Sequence, residues 1–194
     1  MINKNKKKIC FFSSTRADYT LLYNLLKKIY NDKNFDFYLI ITGSHLSKQH
    51  GLSYKQILKD KIPIKFKIDL KINKTSKNEI IKSSSIGLLK FNDALRKINP
   101  DLIILLGDRF ETFVFAYCCF LNNYRICHLH GGELTEGVID DAMRHSITKM
   151  SHYHFCANSI YKKRITQLGE KKGNIYNVGP FCSDEIKKFK VNNN

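Results

Sequence analysis

The sequence lacks several patterns that would assign it directly to a class of protein. No apolar run approaches the ~20 residues that span a bilayer as a helix, so no membrane-spanning helix is predicted. The basic N-terminus, MINKNKKKIC, precedes an apolar segment of only about five residues, which is too short for a secretory signal. The chain has no GxGxxG, P-loop or HExxH motif and no internal repeat. We therefore expect a cytoplasmic protein without standard dinucleotide, P-loop or zinc chemistry.

The cysteines form neither a disulfide framework nor a zinc pattern. The sequence has six of them, without a CxxC pair, and most lie inside apolar runs such as ICFF and FAYCCF. Cysteine in such a run behaves as a small buried hydrophobic residue in a reducing compartment. We therefore expect buried free thiols.

The charge balance is strongly basic, but the positive charge comes from scattered lysines. The formal net charge is +16, which first suggests nucleic acid or an anionic surface as a partner. Only six of the 33 basic residues are arginine, however, and nucleic-acid surfaces usually show arginines or aromatic residues interleaved with the basic ones. We interpret the lysines as a solvated surface and expect neither nucleic acid nor a membrane as a partner.

Strand-like and helix-like segments alternate along the chain. The run PDLIILLGD (100–108) is almost wholly apolar, which is typical of a central parallel strand, whereas IPIKFKI (62–68) alternates with lysine like an edge strand. Leucines at helical spacing follow Asp18, which we expect to cap its helix. The alternation predicts an α/β fold with a doubly wound parallel sheet, Rossmann-like. The predicted strands are 8–14, 35–43, 62–68, 100–108, 124–130, 152–158 and 174–179, and the predicted helices are 18–32, 53–60, 78–98, 109–123, 140–151 and 159–169.

Polar clusters follow four of the predicted strands. In open parallel sheets, ligands bind outside the carboxyl ends of the strands. That edge of the sheet is therefore where we expect a site. The clusters are Ser14–Arg16 after the first strand, Thr42–His45 after the second, Gly107–Arg109 after the central one and His130–Asp141 after the next.

The segment HLHGGELTEGVIDDAMRH (128–145) is the densest of these clusters. His128 and His130 are two residues apart in a predicted strand, so their side chains would share one face and, with Glu133, could hold a metal. No HExxH or CxxC spacing supports such a site. We favour His128 as a hydrogen-bonded residue near the core, and we expect no metal and no cofactor.

Asp108 and Arg16 each have a structural and a functional interpretation. Asp108 either caps the helix 109–123 or presents a carboxylate at the strand end, with Arg109 and Glu111 beside it. Arg16 lies between the first strand and the first helix, where an arginine can clamp a diphosphate near the free N–H groups of the helix. Both interpretations of Asp108 remain open on the sequence alone.

Two aspartates and two cations begin the next helix. Asp140 and Asp141 favour the positive end of that helix. Arg144 follows Asp140 by four residues, and His145 follows Asp141 by four. The four groups either pair along the helix surface, at about 0.3–0.5 kcal/mol per pair, or form a convergent set of acid, base and cation in a cleft.

Taken in order, these motifs resemble those of the hydrolysing UDP-N-acetylglucosamine 2-epimerases, in the branch that serves sialic- and legionaminic-acid synthesis. The resemblance covers about residues 7 to 185, and its most specific part is the pattern DDxxRHxITKxSHxHF. The segments that carry it are SSTRADYTLL (13–22), GDRFE (107–111), HLHGGELTEGVIDDAMRHSITKMSHYHF (128–155) and NVG (177–179).

The resemblance implies both a fold and a reaction. The fold is a pair of Rossmann-like domains of glycosyltransferase-B type, with the active site in the cleft between them. A base removes the C2 proton of the sugar, the nucleoside diphosphate leaves from C1, and water adds to the resulting glycal. The products are an N-acetylmannosamine-type sugar and free nucleotide, without metal or nicotinamide. Carboxylates that transfer protons and arginines that stabilise a departing diphosphate suit this chemistry.

The resemblance also implies roles for individual residues. The carboxylates of the GDR motif and of the helix that begins with DD transfer protons, and residues of the first helix contact the nucleotide. By this carry-over the catalytic residues are Asp108, His130, Glu133 and Asp140, and the substrate-binding residues are Arg16, Thr20, Arg109, Arg144 and His145.

One departure from the family pattern concerns His130. The family commonly has a second catalytic carboxylate at this position, two residues after the first histidine of the motif. Three possibilities remain: His130 acts as a proton shuttle, since imidazole titrates near neutrality, Glu133 replaces the carboxylate, or catalysis is altered or lost. The last possibility would make the chain a non-catalytic nucleotide-sugar-binding or assembly module.

The second departure is the length of the chain. Members of the family have about twice this length and two domains. We therefore expect residues 1–185 to form the N-terminal domain and 186–194 to be a polar tail or the start of a linker. The second Rossmann-like domain is either missing or separately encoded, so we expect this chain alone to be inactive. Relatives are commonly dimeric, which predicts a homo-oligomer with a nucleotide sugar as its substrate.

Overall fold

The computed structural model describes residues 6–71, 76–136 and 139–181, and there strands and helices alternate as predicted. Seven parallel strands in these ranges form one sheet in the order β3-β2-β1-β4-β5-β6-β7. The strands are β1 (Lys7–Ser13), β2 (Phe35–Ile41), β3 (Phe66–Lys67), β4 (Leu102–Leu106), β5 (Ile126–Leu129), β6 (Tyr153–Cys156) and β7 (Ile175–Asn177). The α-helices are α1 (Arg16–Asn31), α2 (Tyr54–Lys59), α3 (Lys77–Ile98), α4 (Phe110–Leu121), α5 (Ile139–Met150) and α6 (Ser159–Gln167), and 3-10 turns span Gly43–Leu46 and Lys172–Asn174.

The helices divide between the two faces of the sheet according to the direction of the chain. Parallel crossovers are right-handed, so a helix lies on one face when the chain moves one way across the sheet and on the other face when it returns. From β1 the chain moves outward to β3 through α1 and α2. It then returns through α3 to β4 and continues to β7 through α4, α5 and α6. Consequently α1 and α2 pack on one face, and the other four helices pack on the opposite face.

The central strand β4 is buried on both faces, as its continuous apolar sequence predicts. Ile103 and Leu105 pack against α3 and α4, whereas Ile104 and Leu106 belong to the cluster under α1. Each of the four is at most 7% exposed. Full burial of such a side chain stabilises the fold by about 1.5–3 kcal/mol, so this strand anchors the polar turn that follows it.

The edge strand is shorter than predicted. Residues 62–68 do run along the outer edge, but only Phe66 and Lys67 pair with β2, opposite Ile40 and Ile41. An edge strand has one neighbour only, so it loses regular pairing sooner than a central strand.

Other expectations can be compared with the described ranges. Five cysteines are buried free thiols as predicted, and Cys182 lies outside the described residues. The predicted domain end at residue 185 and the tail 186–194 also lie outside them. None of the helices in the described part of the chain combines the length and apolarity needed to cross a bilayer.

Candidate functional site

The turn after β1 is organised by the carboxylate of Asp18. This group accepts hydrogen bonds from the backbone N–H of Ser14, the Ser14 hydroxyl and the backbone N–H of Thr15. The Thr15 side chain in return accepts from the backbone N–H of Asp18. The prediction that Asp18 itself caps the helix is therefore wrong, because Thr15 is the cap and Asp18 completes a capping box three residues later. The box fixes Arg16 as the first helical residue at the carboxyl edge of the sheet.

A second carboxylate, Glu111, is buried behind the ends of β1 and β2. It lies in the first turn of α4 and is 2% exposed, and its Oε2 atom is 3.4 Å from Nε of Arg109. Burial raises the pKa of Glu111; Arg109 lowers it and Asp18 raises it further. The main chain comes very close here, because a Cβ atom on Gly43 would lie 2.9 Å from both Glu111 Oε1 and the Ser14 carbonyl oxygen.

Asp108 pairs with Arg144 across the space between β4 and α5. The Arg144 guanidinium donates to the Asp108 carboxylate and also, at 3.0 Å, to the hydroxyl of Thr135. The N-cap residue of α4 is Arg109, so Asp108 does not cap that helix. The Arg144 side chain is only 7% exposed and that of Asp108 only 19%. Of the two interpretations of Asp108, the structure shows the carboxylate held at the strand end.

The two aspartates that begin α5 differ in their partners. Asp141 lies 3.6 Å from Arg144 and 3.6 Å from His145. Of the pairs that the helical spacing allowed, Asp140 with Arg144 does not form, because the guanidinium turns towards Asp108 and Asp141 instead. Within the described ranges Asp140 makes no hydrogen bond or ion pair, and it is half-buried. Its carboxylate is therefore not engaged by a described side chain.

His128 is a buried structural residue, as favoured from the sequence. Its Nε2 lies 2.8 Å from the carbonyl oxygen of Gly107 and its Nδ1 3.1 Å from the Thr148 hydroxyl. A carbonyl only accepts, so Nε2 carries the proton and Nδ1 accepts from Thr148. Burial lowers the pKa of His128 to about 4. The histidines do not share a strand face, because β5 ends at Leu129 and His130 has φ 63°, so His128 is not placed as a metal ligand.

His130 and Glu133 contact each other directly after β5. Nδ1 of His130 is 2.8 Å from Oε1 of Glu133, and both side chains are largely buried. The ring of Phe181 packs against the imidazole with its centroid 5.2 Å away. An imidazole and a carboxylate thus lie where the chain leaves β5, next to β4, whose last residue precedes Asp108 by two positions.

Arg16 and Thr20 open into a different recess at the same sheet edge. They line a cavity of about 690 Å³ between α1 and α2, together with Tyr23, Lys55 and Lys59. Their strand, β1, is the parallel neighbour of β4. The structure therefore places these residues on the same edge as Asp108, but not in contact with the Asp108–Arg144 pair.

The sequence did not indicate that His45 and Glu111 are buried close to the site. His45 is fully buried, with Ser13 Oγ 2.9 Å from Nε2 and Ser53 Oγ 2.8 Å from Nδ1, and burial lowers its pKa to about 4. Glu111 is visible in the sequence only as a neighbour of Asp108. For Asp18 the signal was present, since T-x-x-D before an apolar run is a capping-box pattern. Nothing in the local sequence indicates that His45 and Glu111 are buried.

The fold and the site together define a class of protein. A parallel α/β sheet presents carboxylates, an imidazole and guanidinium groups at its carboxyl edge, where such sheets bind their ligands. Carboxylates and an imidazole are groups that can transfer protons, and guanidinium groups can bind an anion.

Comparison with known proteins gives the particular family. A family model described as UDP-N-acetylglucosamine 2-epimerase matches residues 27–194. A GDP/UDP-N,N'-diacetylbacillosamine 2-epimerase (hydrolyzing) from Campylobacter jejuni is 45% identical over 185 residues, which are 95% of this chain and 48% of the relative. The Legionella pneumophila UDP-N,N'-diacetylbacillosamine 2-epimerase (hydrolyzing) is 35% identical, over 95% of this chain and 49% of the relative. The chain belongs to the UDP-N-acetylglucosamine 2-epimerase family.

Solved structures agree on the fold. The Neisseria meningitidis UDP-GlcNAc 2-epimerase bound to UDP-GlcNAc superposes with a TM-score of 0.80 at 17% identity, over 95% of this chain and 51% of that one. A Listeria monocytogenes structure gives a TM-score of 0.83 at 17% identity, over 97% of this chain and 50% of that one. The predicted Rossmann-like α/β fold is confirmed. The chain spans about half the length of the curated relatives it matches and corresponds to their N-terminal half.

Proposed function

We propose that this chain is the N-terminal half of a hydrolysing nucleotide-sugar 2-epimerase. Its substrate is UDP-N-acetylglucosamine or a related nucleotide-activated N-acetyl sugar. The observation that carries the proposal is the Asp108–Arg144 ion pair and the His130–Glu133 imidazole–carboxylate pair, which follow the adjacent strands β4 and β5. The name of the Campylobacter relative, GDP/UDP-N,N'-diacetylbacillosamine 2-epimerase (hydrolyzing), favours nucleotide-activated N,N'-diacetylbacillosamine over UDP-N-acetylglucosamine.

The proposed reaction has two proton transfers. In the first, a base takes the C2 proton, the electrons of the C–H bond form the C1=C2 double bond, and the C1–O bond breaks with its electrons on the diphosphate. In the second, water adds its hydroxyl to C1 and a proton adds to C2 from the opposite face. The sum is inversion at C2 and hydrolysis at C1, with no change of oxidation state and no cofactor.

We assign the proton transfers to groups that the structure holds at the carboxyl edge. Asp108 and Asp140 are carboxylates in this assignment, and His130 with Glu133 forms a third acid–base unit. Asp140 has no described partner of its own, which leaves its oxygens for a ligand. Such positioned groups each contribute roughly 10²–10⁴-fold to proton transfer.

We assign binding of the diphosphate and nucleotide to the cationic groups around the same edge. Arg109 is half-exposed beside Glu111, and Arg16 lies at the start of α1 with Thr20 one turn further on. Guanidinium groups bind phosphate oxygens in a bidentate manner and stabilise the charge that develops as the diphosphate leaves. Arg144 donates to the Asp108 carboxylate, and Arg144 and His145 each lie 3.6 Å from the Asp141 carboxylate.

A second Rossmann-like domain, encoded after this one or separately, completes the proposed cleft. Beyond α1, the sheet face formed by β4, β5 and β6 borders a cavity of about 520 Å³ with side chains such as Ile104, Leu129 and Phe155 in its wall. Parallel sheets normally have both faces covered, so an apolar recess of this size suits a further packed element.

We expect the complete enzyme in the cytoplasm, where the five buried free thiols suit a reducing environment.

The proposal is tested with a fusion of residues 1–185 to the second half of the Campylobacter relative. With UDP-N,N'-diacetylbacillosamine or UDP-N-acetylglucosamine in D₂O, the fusion should release UDP and place deuterium at C2 of the free sugar. The 194-residue chain alone should release none, because half a cleft does not orient the substrate. Asp108→Asn and Asp140→Asn fusions are the controls and should lose most of the turnover. A folded fusion that releases UDP without deuterium at C2 would refute the epimerase mechanism.

A further inference from the structure

The contact between His130 and Glu133 fixes which ring nitrogen carries the proton. Nδ1 lies 2.8 Å from Oε1 of Glu133. An ionised carboxylate only accepts hydrogen bonds, so Nδ1 must be the donor. In the neutral ring, Nε2 is then left with its lone pair, which is the form of histidine that can take a proton from a substrate.

The backbone around His130 holds the ring in place. His130 has φ 63°, a left-handed conformation in which histidine is one of the few residues enriched besides glycine, and its N–H donates to the carbonyl oxygen of Phe155 at 2.9 Å. The next two residues pack so tightly that a side chain does not fit. A Cβ on Gly131 would lie 3.0 Å from Thr148 Oγ1, and one on Gly132 would lie 2.6 Å from the Tyr161 carbonyl oxygen. This turn brings the chain back, so that the residue three positions after His130 reaches Nδ1.

The other nitrogen of the ring has no partner in the part of the chain that the structure describes. Nε2 of His130 is shielded from solvent and makes no hydrogen bond with any described residue. A buried polar atom without a partner destabilises the fold, and such atoms are rare in folded proteins. The ring of Phe181 packs against the imidazole, so a ligand that reaches Nε2 displaces part of this cover. An orphaned acceptor at the sheet edge is what a site for a donating ligand atom requires.

We infer that Nε2 of His130 is the atom that takes a proton from the substrate, and that Glu133 is a positioning residue acting through Nδ1. This inference rests on the proposed function and assigns a separate role to each of the two residues. When Nε2 takes the C2 proton, its N–H bond forms while the C–H bond breaks, the electrons of the C–H bond form the C1=C2 double bond, and the C1–O electrons leave on the diphosphate. When Nε2 takes a proton from water, the electrons of the O–H bond stay on the oxygen that bonds to C1. Glu133 stabilises the resulting imidazolium without itself exchanging a proton with the substrate.

The first experiment does not depend on activity. Nitrogen-15 spectra of the histidine rings in the 194-residue chain report the tautomer of each neutral imidazole, and His130→Asn assigns the signal. Wild-type protein should show His130 with the proton on Nδ1, and Glu133→Ala should shift the population towards the Nε2–H form. A wild-type His130 with its proton on Nε2 would overturn the inference, whatever the fused enzyme does.

The second experiment is a double-mutant cycle in the fused enzyme. Glu133→Gln should lower kcat by about 10–100-fold, because the imidazole loses its orienting carboxylate. In a His130→Glu background, where a carboxylate replaces the imidazole, Glu133→Gln should change kcat by less than about 3-fold. An equal loss in both backgrounds would mean that Glu133 itself transfers the proton. Thermal melting of all four proteins controls for folding. A wild-type fusion without turnover would count against the proposed function. The tautomer measurement does not need turnover, so it tests the inference independently.

Discussion

Burial sets the protonation state of His45 and His128. Each has hydrogen-bond partners at both ring nitrogens and a pKa lowered to about 4, chiefly by loss of solvent. Neither ring contributes positive charge near neutral pH, so the cationic character of the edge comes from its arginines. The two rings link the turns after β1, β2 and β4 to the elements behind them.

The lowered pKa of His128 makes folding pH-dependent. An unfolded histidine takes up its proton near pH 6.5, whereas folded His128 does so only at about 4. Between these values the unfolded state binds more protons, so the free energy of unfolding falls as pH drops. Between pH 7 and pH 5, the free energy of unfolding of the wild-type protein should therefore fall by about 2 kcal/mol more than that of His128→Gln. Urea denaturation at the two pH values measures both.

The control for this prediction is His50→Gln, which changes an exposed ring and should alter the free energy of unfolding at pH 7 by less than about 0.5 kcal/mol. Identical pH dependence of the wild-type and His128→Gln proteins would contradict the buried neutral ring.

Arg144 compensates a carboxylate that has little access to solvent. Arg144→Leu should lower the free energy of unfolding by about 2–4 kcal/mol, because Asp108 then keeps its charge without its cation. Asp108→Asn added to Arg144→Leu should recover part of the loss. Denaturant titration measures both, with Arg125→Leu on an exposed arginine as the control. A loss no larger than that of the control would show that the pair is solvated.

At the scale of the elements, Glu111 is buried because the turn after β2 packs closely against the first turn of α4. The 3-10 turn Gly43–Leu46 begins with a glycine at φ 56°, and its backbone touches both the Glu111 carboxylate and the end of β1. A side chain at this position would separate the turn from α4. The buried carboxylate beside Arg109 therefore depends on a glycine in another element.

Comparing two glycines of similar backbone conformation distinguishes the cost of backbone strain from the cost of a steric clash. Gly43 and Gly51 both have positive φ, but a Cβ on Gly51 meets nothing within 4 Å. Gly51→Ala should cost about 1 kcal/mol from the left-handed backbone alone. Gly43→Ala should cost a further 1–3 kcal/mol, roughly, from overpacking against Glu111 and Ser14. Thermal or chemical unfolding measures the difference, and equal losses for the two variants would contradict the contact.

At the scale of the whole molecule, the face that carries α3 and α4 exposes large apolar side chains. Leu89 is 71% exposed, Phe120 53% and Leu121 62%, on two helices that pack side by side. Exposed apolar surface of this kind is typical of subunit contacts, and self-association through one patch gives a two-fold dimer. If the expected homo-oligomer is a two-fold dimer, we predict that this face forms its contact.

The dimer is tested by light scattering during gel filtration. Wild-type chain should elute as a dimer, and Leu89→Lys with Phe120→Lys should give monomers, because a lysine in each copy leaves charges buried against each other. Leu58→Lys, on exposed α2, is the matched control and should leave the dimer intact. A monomeric wild type, or a dimer that tolerates the double variant, would contradict this contact.

The element order was readable from the sequence because strands and helices carry different apolar periods. The continuous run of β4 and the alternation of residues 62–68 predicted a central and an edge strand, and both were confirmed. The resemblance in DDxxRH and GDRFE led to the correct family. Helix starts were less predictable: Asp18 was predicted as the cap and Thr15 is the cap, because an aspartate before leucines fits a cap as well as it fits the third position of a capping box.

What the sequence determined by itself is therefore the parallel α/β fold, the edge that carries the polar groups and the family. What only the tertiary structure decided is the partner of each polar group. Arg144 could pair with Asp140, Asp141 or Asp108, and nothing in a local pattern ranks those contacts. The partner depends on how β4, β5 and α5 pack. A largely buried charge pairs with the opposite charge that this packing brings within hydrogen-bonding distance. The same holds for His130, whose partner is fixed by two glycines that let the chain turn back on the sheet.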